Sequence, residues 1–191
     1  MGIGTTYPEK DVFAPFHDLF KAKVTTSLPQ LFKIYKSMVW FLKETNFFQS
    51  PSWELKKAIQ TYWSDQSHFD RSDPFLLVVE STHKLYPIMY ANNKGSREWL
   101  LQACLKEHLF IRKISLEKLS YYNCEQNYVQ FLYDCKKTVV FPNQLADFMW
   151  RSHMQDNEAY YSNMNAIMGI VMHHWNEFEH KKQEEGQPQQ Q

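Results

Sequence analysis

Apolar residues recur at three- and four-residue intervals along most of the chain, the spacing that gathers them on one face of an α-helix. Leu28, Leu31, Ile34, Tyr35, Met38, Phe41 and Leu42 draw such a stripe and predict a helix over 28–45. Ser50 followed by Pro51 predicts the start of a second, since a side-chain oxygen can cap free N–H groups and proline suits the first helical position. Leu55, Ile59, Tyr62 and Trp63 form its apolar side, and Asp73-Pro74 repeats the start signal ahead of Phe75 to Leu85. Asn92-Asn93-Lys94-Gly95 predicts a turn, after which Ser96 is expected to cap a helix with Trp99, Leu100, Ala103 and Cys104 facing inward. Ser115 is expected to open a longer helix through Leu116, Leu119, Tyr122, Tyr128, Phe131, Leu132 and Cys135. Thr138 to Phe141 reads as a short strand or as an extended approach to Pro142. Tyr161, Met164, Met168, Val171, Trp175 and Phe178 predict one last helix, its stripe a core face or packing seam.

The pattern therefore predicts a mainly α fold, a compact bundle of about seven to eight helices built from two pseudo-repeated helical units. An N-terminal segment, 1–27, precedes a helical domain over 28–180, and the polar run 181–191 is expected to be a disordered tail. The repeat rests on two runs. In one, Pro74 leads through Glu80 and Ser81 to His83, with Tyr90 seven residues later; in the other, Pro142 leads through Asp147 and Trp150 to His153, with Tyr160 again seven residues later. Each run follows an aromatic helix, Ala58 to Trp63 in the first and Tyr128 to Tyr133 in the second. The units span about 51–91 and about 115–161.

Composition narrows the function. Lys and Arg total 21 and so do Asp and Glu, so no net field or basic track points to nucleic acid. Aromatic residues reach 16%, enough to supply both a core and surface for protein partners. Cys104, Cys124 and Cys135 are odd in number and lack metal-ligand spacing, which reads as reduced thiols in an intracellular, cytoplasmic setting. No apolar run reaches the roughly 20 residues needed to span a bilayer. Gly2 followed by Thr6 matches a myristoylation pattern, and a single acyl chain would give only weak, reversible membrane attachment.

The second run, together with Tyr128-Val129-Gln130-Phe131-Leu132-Tyr133, resembles the glycine-rich domain-containing protein-like family, whose hallmark is a Pro-led helix ending in Asp-x-x-Trp-His-x-His and then a Tyr, preceded by a Tyr-x-x-Phe-Leu helix. His83-Lys84-Leu85-Tyr86-Pro87-Ile88-Met89-Tyr90 is similar to that family's other copy, and the resemblance covers residues 30–180. Where the family carries the first histidine of Trp-His-x-His, this chain has Ser81 and Arg151, and Glu80 stands in place of the first copy's tryptophan. The family's glycine-rich extension is also missing. The resemblance implies no enzymatic activity for the domain.

His83 and His153 carry two readings. Related halves could bring them together as ligands for zinc or iron, with oxygen from Glu80 or Asp147. The more ordinary reading is a pair of buried imidazoles bonded to a tyrosine hydroxyl and a backbone carbonyl, fixing the corner where each helix ends. Arg151 would place a permanent charge beside the second, paired with Asp147 one turn earlier. The sequence Glu177-x-x-His180, near His173 and His174, has the spacing of a di-iron half-site but no second copy, so these residues read as a solvated helix end. No phosphate loop, dinucleotide fingerprint or nucleophile triad is present. The reading is a non-catalytic interaction or scaffold protein, a small subunit of a larger assembly, without a cofactor; the alternative is a metal-dependent enzyme using His83 and His153.

Overall fold

A computed structural model describes residues 27–45, 51–64, 70–86, 94–172 and 174. Five of the seven described helices start beside a side chain that caps them. α1 spans Leu28–Glu44, with the Gln30 side chain accepting from the Ser27 N–H at 3.2 Å and Pro29 in its first turn. α2 spans Pro51–Ser64 and α3 spans Pro74–Leu85, where Asp73 accepts from the backbone of Phe75 and Leu76. α4 runs over Lys94–Lys113 and is followed by a single 3-10 turn at Leu116–Lys118. Ser120, Asn143 and Asp156 cap α5 (Tyr121–Cys135), α6 (Gln144–Met154) and α7 (Asn157–Met168) by accepting from Asn123, Ala146 and Ala159. Among the described residues there are seven α-helices and no strand, and no helix is long and apolar enough to cross a membrane.

α2, α3 and α4 pack on one another, α5, α6 and α7 form a second group around α6, and α1 bridges them by lying against both α4 and α6. α3 also touches α6. The two groups share one core, in which Phe148 of α6 meets the rings of Phe32 and Tyr35 from α1 at 5.6 and 5.0 Å. α6 is enclosed on every side. All nine residues from Ala146 to Met154 are buried, which is the state of a core helix rather than an amphipathic surface one.

Several elements differ from the periodic reading. Lys94 and Gly95 are already helical, so Ser96 lies inside α4 and does not cap it. Ser115 precedes only the 3-10 turn, and α5 takes its cap from Ser120. Tyr122, placed on the apolar stripe by its spacing, is 68% exposed because the buried face of α5 runs through Cys124, Tyr128, Phe131 and Leu132. Val139 to Phe141 belongs to neither a helix nor a strand. The last helix ends at Met168, where Gly169 adopts φ 74° and its N–H bonds the Asn165 carbonyl, so Val171 lies outside the helix. Trp175 and Phe178, with Ser50, Pro87 and the run 181–191, fall outside the described residues.

A Cβ at residue 169 would meet no atom within 4 Å, so Gly169→Ala would cost only the left-handed strain of a non-glycine residue, about 1 kcal/mol. Asp73→Ala should cost a similar amount, about 1 kcal/mol, by stranding N–H groups at the start of α3. Chemical denaturation should place both midpoints below wild type with an unchanged slope.

Candidate functional site

A helix buried all round cannot send its polar side chains to water, so Asp147, Arg151, Ser152 and His153 of α6 must find partners inside the protein. Arg151, 2% exposed, donates through Nε to Asp147 Oδ1 at 3.2 Å and through a terminal nitrogen to Glu107 Oε2 of α4. Its guanidinium also lies 4.0 Å from the ring centroid of Phe110. Glu107 accepts a second bond from the Tyr35 hydroxyl of α1 at 2.6 Å. One buried charge thus ties α6 to α4, and α4 to α1.

Asp147 has a further partner from beyond α7. Nε2 of His174 lies 2.7 Å from Asp147 Oδ1, a distance that makes it an N–H donor to the carboxylate, and Nδ1 lies 3.2 Å from the Tyr86 hydroxyl. The ring rests against Trp150 at 4.7 Å and meets Tyr86 edge-on at 5.8 Å. Trp150 donates its indole N–H to the Tyr160 hydroxyl at 3.0 Å, and that hydroxyl donates to the Met172 carbonyl. His174 is therefore a core residue, not the solvated helix end that its neighbours' polarity predicts; the turn at Gly169 sends the chain back over α6.

The two histidines of the repeat occupy matching positions. His83 Nδ1 lies 2.7 Å from the Tyr62 hydroxyl and His153 Nδ1 lies 2.8 Å from that of Tyr128, each with ring planes nearly perpendicular. The caps Asp73 and Asn143 both stand ten residues before the histidine. Thr82 and Ser152, each one residue before it, return their hydroxyls to the carbonyls of Val78 and Phe148 four residues back. Three residues after it, the N–H groups of Tyr86 and Asp156 bond the carbonyls of His83 and His153, closing each helix. The tyrosine partner is thus the one on the preceding helix. Tyr160, seven residues after His153, touches that ring edge-on at 5.1 Å and bonds Trp150 instead. The second nitrogen of His153 meets the side-chain amide of Asn163 at 2.9 Å, where a backbone carbonyl was expected.

Burial sets the charge states. It pushes the pKa of His153 down to about 3, leaving a neutral ring whose Nε2 accepts from Asn163 and whose Nδ1 proton points to Tyr128. His83, half-buried, is lowered by the same cause. Burial works to raise the Asp147 carboxyl, but Arg151 and His174 outweigh it and hold the group below the usual carboxylate range. For Arg151, burial opposes the charge while Asp147 and Glu107 secure it. Burial and Glu107 together keep the Tyr35 hydroxyl protonated as a donor. Burial raises the thiols of Cys104 to about 12 and of Cys124 and Cys135 to about 11, which leaves no reactive thiolate among them.

Of the motif residues, Asp147, Trp150, Arg151, His153 and Tyr160 converge in one buried cluster, while His83 sits in the other helix group with Tyr62 and Trp63. Glu80 turns toward Arg71 and Lys84, and Asp147 toward Arg151 and His174. Among the described residues no group of three or more His, Cys, Asp and Glu is placed to hold a metal ion. Tyr90 and Gly2 lie outside the described residues, as do His173, Glu177 and His180. Glu107 and Asn163 were not singled out from the sequence, Tyr35 was placed only on an apolar stripe and His174 only at a solvated helix end. Glu107 did leave a signal: Leu100, Ala103, Cys104, Glu107 and Ile111 share one helical stripe, and an acid on an apolar stripe calls for a buried cation.

Arg151→Met would leave Glu107 and Asp147 buried without their common counter-charge, at a cost of about 3–5 kcal/mol. Adding Glu107→Gln to it should cost less than the two single losses together, and thermal unfolding of the three variants measures that coupling. For His153 the folded state disfavours the proton, so as pH falls below about 6.5 the unfolded chain binds it first and stability drops by up to about 1.4 kcal/mol per unit towards pH 3. His153→Gln should lower the melting temperature by several degrees at pH 7 and by less at pH 5, since the variant has lost that dependence.

No known protein family, curated protein or solved structure matches this chain.

Proposed function

We propose that the chain is a non-catalytic interaction or scaffold protein that serves as a small subunit of a larger assembly, and that it is a divergent member of the glycine-rich domain-containing protein-like family. The observation that carries this reading is burial of the motif: Asp147 is 7% exposed, Arg151 2%, and Trp150, His153 and Tyr160 are at 0%. Substrate has no route to groups so enclosed, and their hydrogen bonds go to other side chains of the same core. Their work is to hold helices together. Asp147, Trp150, His153 and Tyr160, which the family resemblance singles out, serve that one task, which favours the resemblance as well.

The surface carries what the core does not use. Trp53 is 71% exposed and Trp40 59%, and Ile34, Val139 and Ile170 each exceed half exposure. Tryptophan is the side chain most enriched where proteins bind one another tightly, because it buries a large rigid area at little entropic cost. A protein partner that covers these residues is the simplest account of them.

Size-exclusion of a native lysate should find the tagged chain well above the size of a lone 191-residue protein. Trp40→Ser with Trp53→Ser should move it toward the monomer position while shifting the melting temperature of the purified protein by less than about 2 °C. Elution as a monomer in both cases would overturn the assembly reading. Stoichiometric zinc or iron in the purified protein, lost on His83→Ala with His153→Ala, would replace it with a metal-dependent enzyme.

A further inference from the structure

The ring of His174 sits in a pocket whose walls are each fixed by a second contact. Asp147 is held by Arg151 at 3.2 Å. Trp150 is held by the Tyr160 hydroxyl at 3.0 Å and by the ring of Phe131 at 5.0 Å. Tyr86 stands edge-on to Trp99 at 4.9 Å. Asp147 and Trp150 lie on α6, Tyr86 just beyond α3 and Trp99 on α4, elements separate from the segment carrying the ring, although the Met172 carbonyl of that segment accepts from the Tyr160 hydroxyl. That segment follows Gly169, past the last helical residue of α7, so the imidazole is presented by chain that has left the helical hydrogen-bond ladder.

The walls also specify their occupant. A carboxylate oxygen faces one ring nitrogen at 2.7 Å and a phenol hydroxyl faces the other at 3.2 Å, while Trp150 covers a ring face. Two polar partners on opposite sides of a flat ring match a heterocycle with nitrogens in a 1,3 relation. We propose that this is a preorganised recognition pocket for an imidazole ring, which the chain fills in cis with His174 and which accepts imidazole presented by another molecule once that side chain is withdrawn. The proposal concerns the pocket alone and is independent of the scaffold reading. Preorganised walls favour binding because little freedom is lost when the ring enters.

The test uses the full chain carrying His174→Gly, titrated with imidazole, 4-methylimidazole or pyrazole while thermal unfolding is followed. The variant should melt below wild type and recover by at least about 3 °C, saturably, with either imidazole. Pyrazole, whose nitrogens are adjacent and cannot reach both partners, should recover less than about 1 °C. Wild type, its pocket full, should not respond. Tyr86→Phe in the variant background should raise the imidazole concentration needed for half recovery several-fold, because the partner of one nitrogen is gone. If His174→Gly fails to fold alone, the yield of soluble protein refolded with and without each heterocycle reads the same comparison. Equal responses of wild type and variant, equal responses to imidazole and pyrazole, or no response of the variant would each overturn the proposal.

Discussion

A guanidinium cannot shed its charge, and Arg151 holds one in the middle of a helix that has no face on water. Moving such an ion out of water costs several kcal/mol even after the surroundings relax, so the fold is viable only where carboxylates close on it from fixed positions. Asp147 comes from the same helix one turn earlier and Glu107 from α4. Each carboxylate has oxygen capacity left over, and the fold fills it from elsewhere: Tyr35 of α1 bonds Glu107, and His174 bonds Asp147. The order in which α1, α4, α6 and the chain after α7 surround one another follows from that single chain of donors and acceptors. Apolar packing drives the collapse, as in any domain, but it would tolerate α6 turned about its axis far more readily than the ion pairs would.

The helices were legible in the sequence because apolar periodicity is a local signal, and so is the Asp73 cap, whereas Ser96 and Ser115 do not cap the helices expected of them. Pro51 and Pro74 open helices where proline at the first position predicts, and Asp147 and Arg151 pair at the one-turn spacing that brings them together. The failures have the opposite cause. His174 was read as solvated because the three-four stripe was carried through Gly169, a residue that can end a helix by turning left-handed at no steric cost. Which tyrosine bonds each histidine was not legible either: Tyr62 and Tyr128 reach it from the preceding helix. Pairing between helices is set by how two cylinders pack, and a run of residues along one of them does not encode it.

Two roles that a sequence can suggest for histidine, ligand and structural corner, differ in what surrounds the ring. Here the second copy satisfies both nitrogens of His153 with Tyr128 and Asn163 and presses Tyr160 against its edge. The first copy has the same tyrosine bond but a half-buried ring near the charged side chains of Glu80 and Lys84. In the enclosed copy the hydrogen bonds of the ring tie α6 to α5 and α7. Trp40 of α1 and Trp53 of α2 stay on the surface, outside that interior.

Unequal enclosure makes α3 and α6 unequally tolerant of substitution. α3 keeps Glu80 and Lys84 at its margin, where substitutions can be absorbed by water, while every position from Ala146 to Met154 is hemmed in by neighbours. Substitutions on the outer face of α3 should therefore be tolerated more readily than along α6. A change of side-chain volume at any of the nine enclosed positions has to be absorbed by a neighbouring helix.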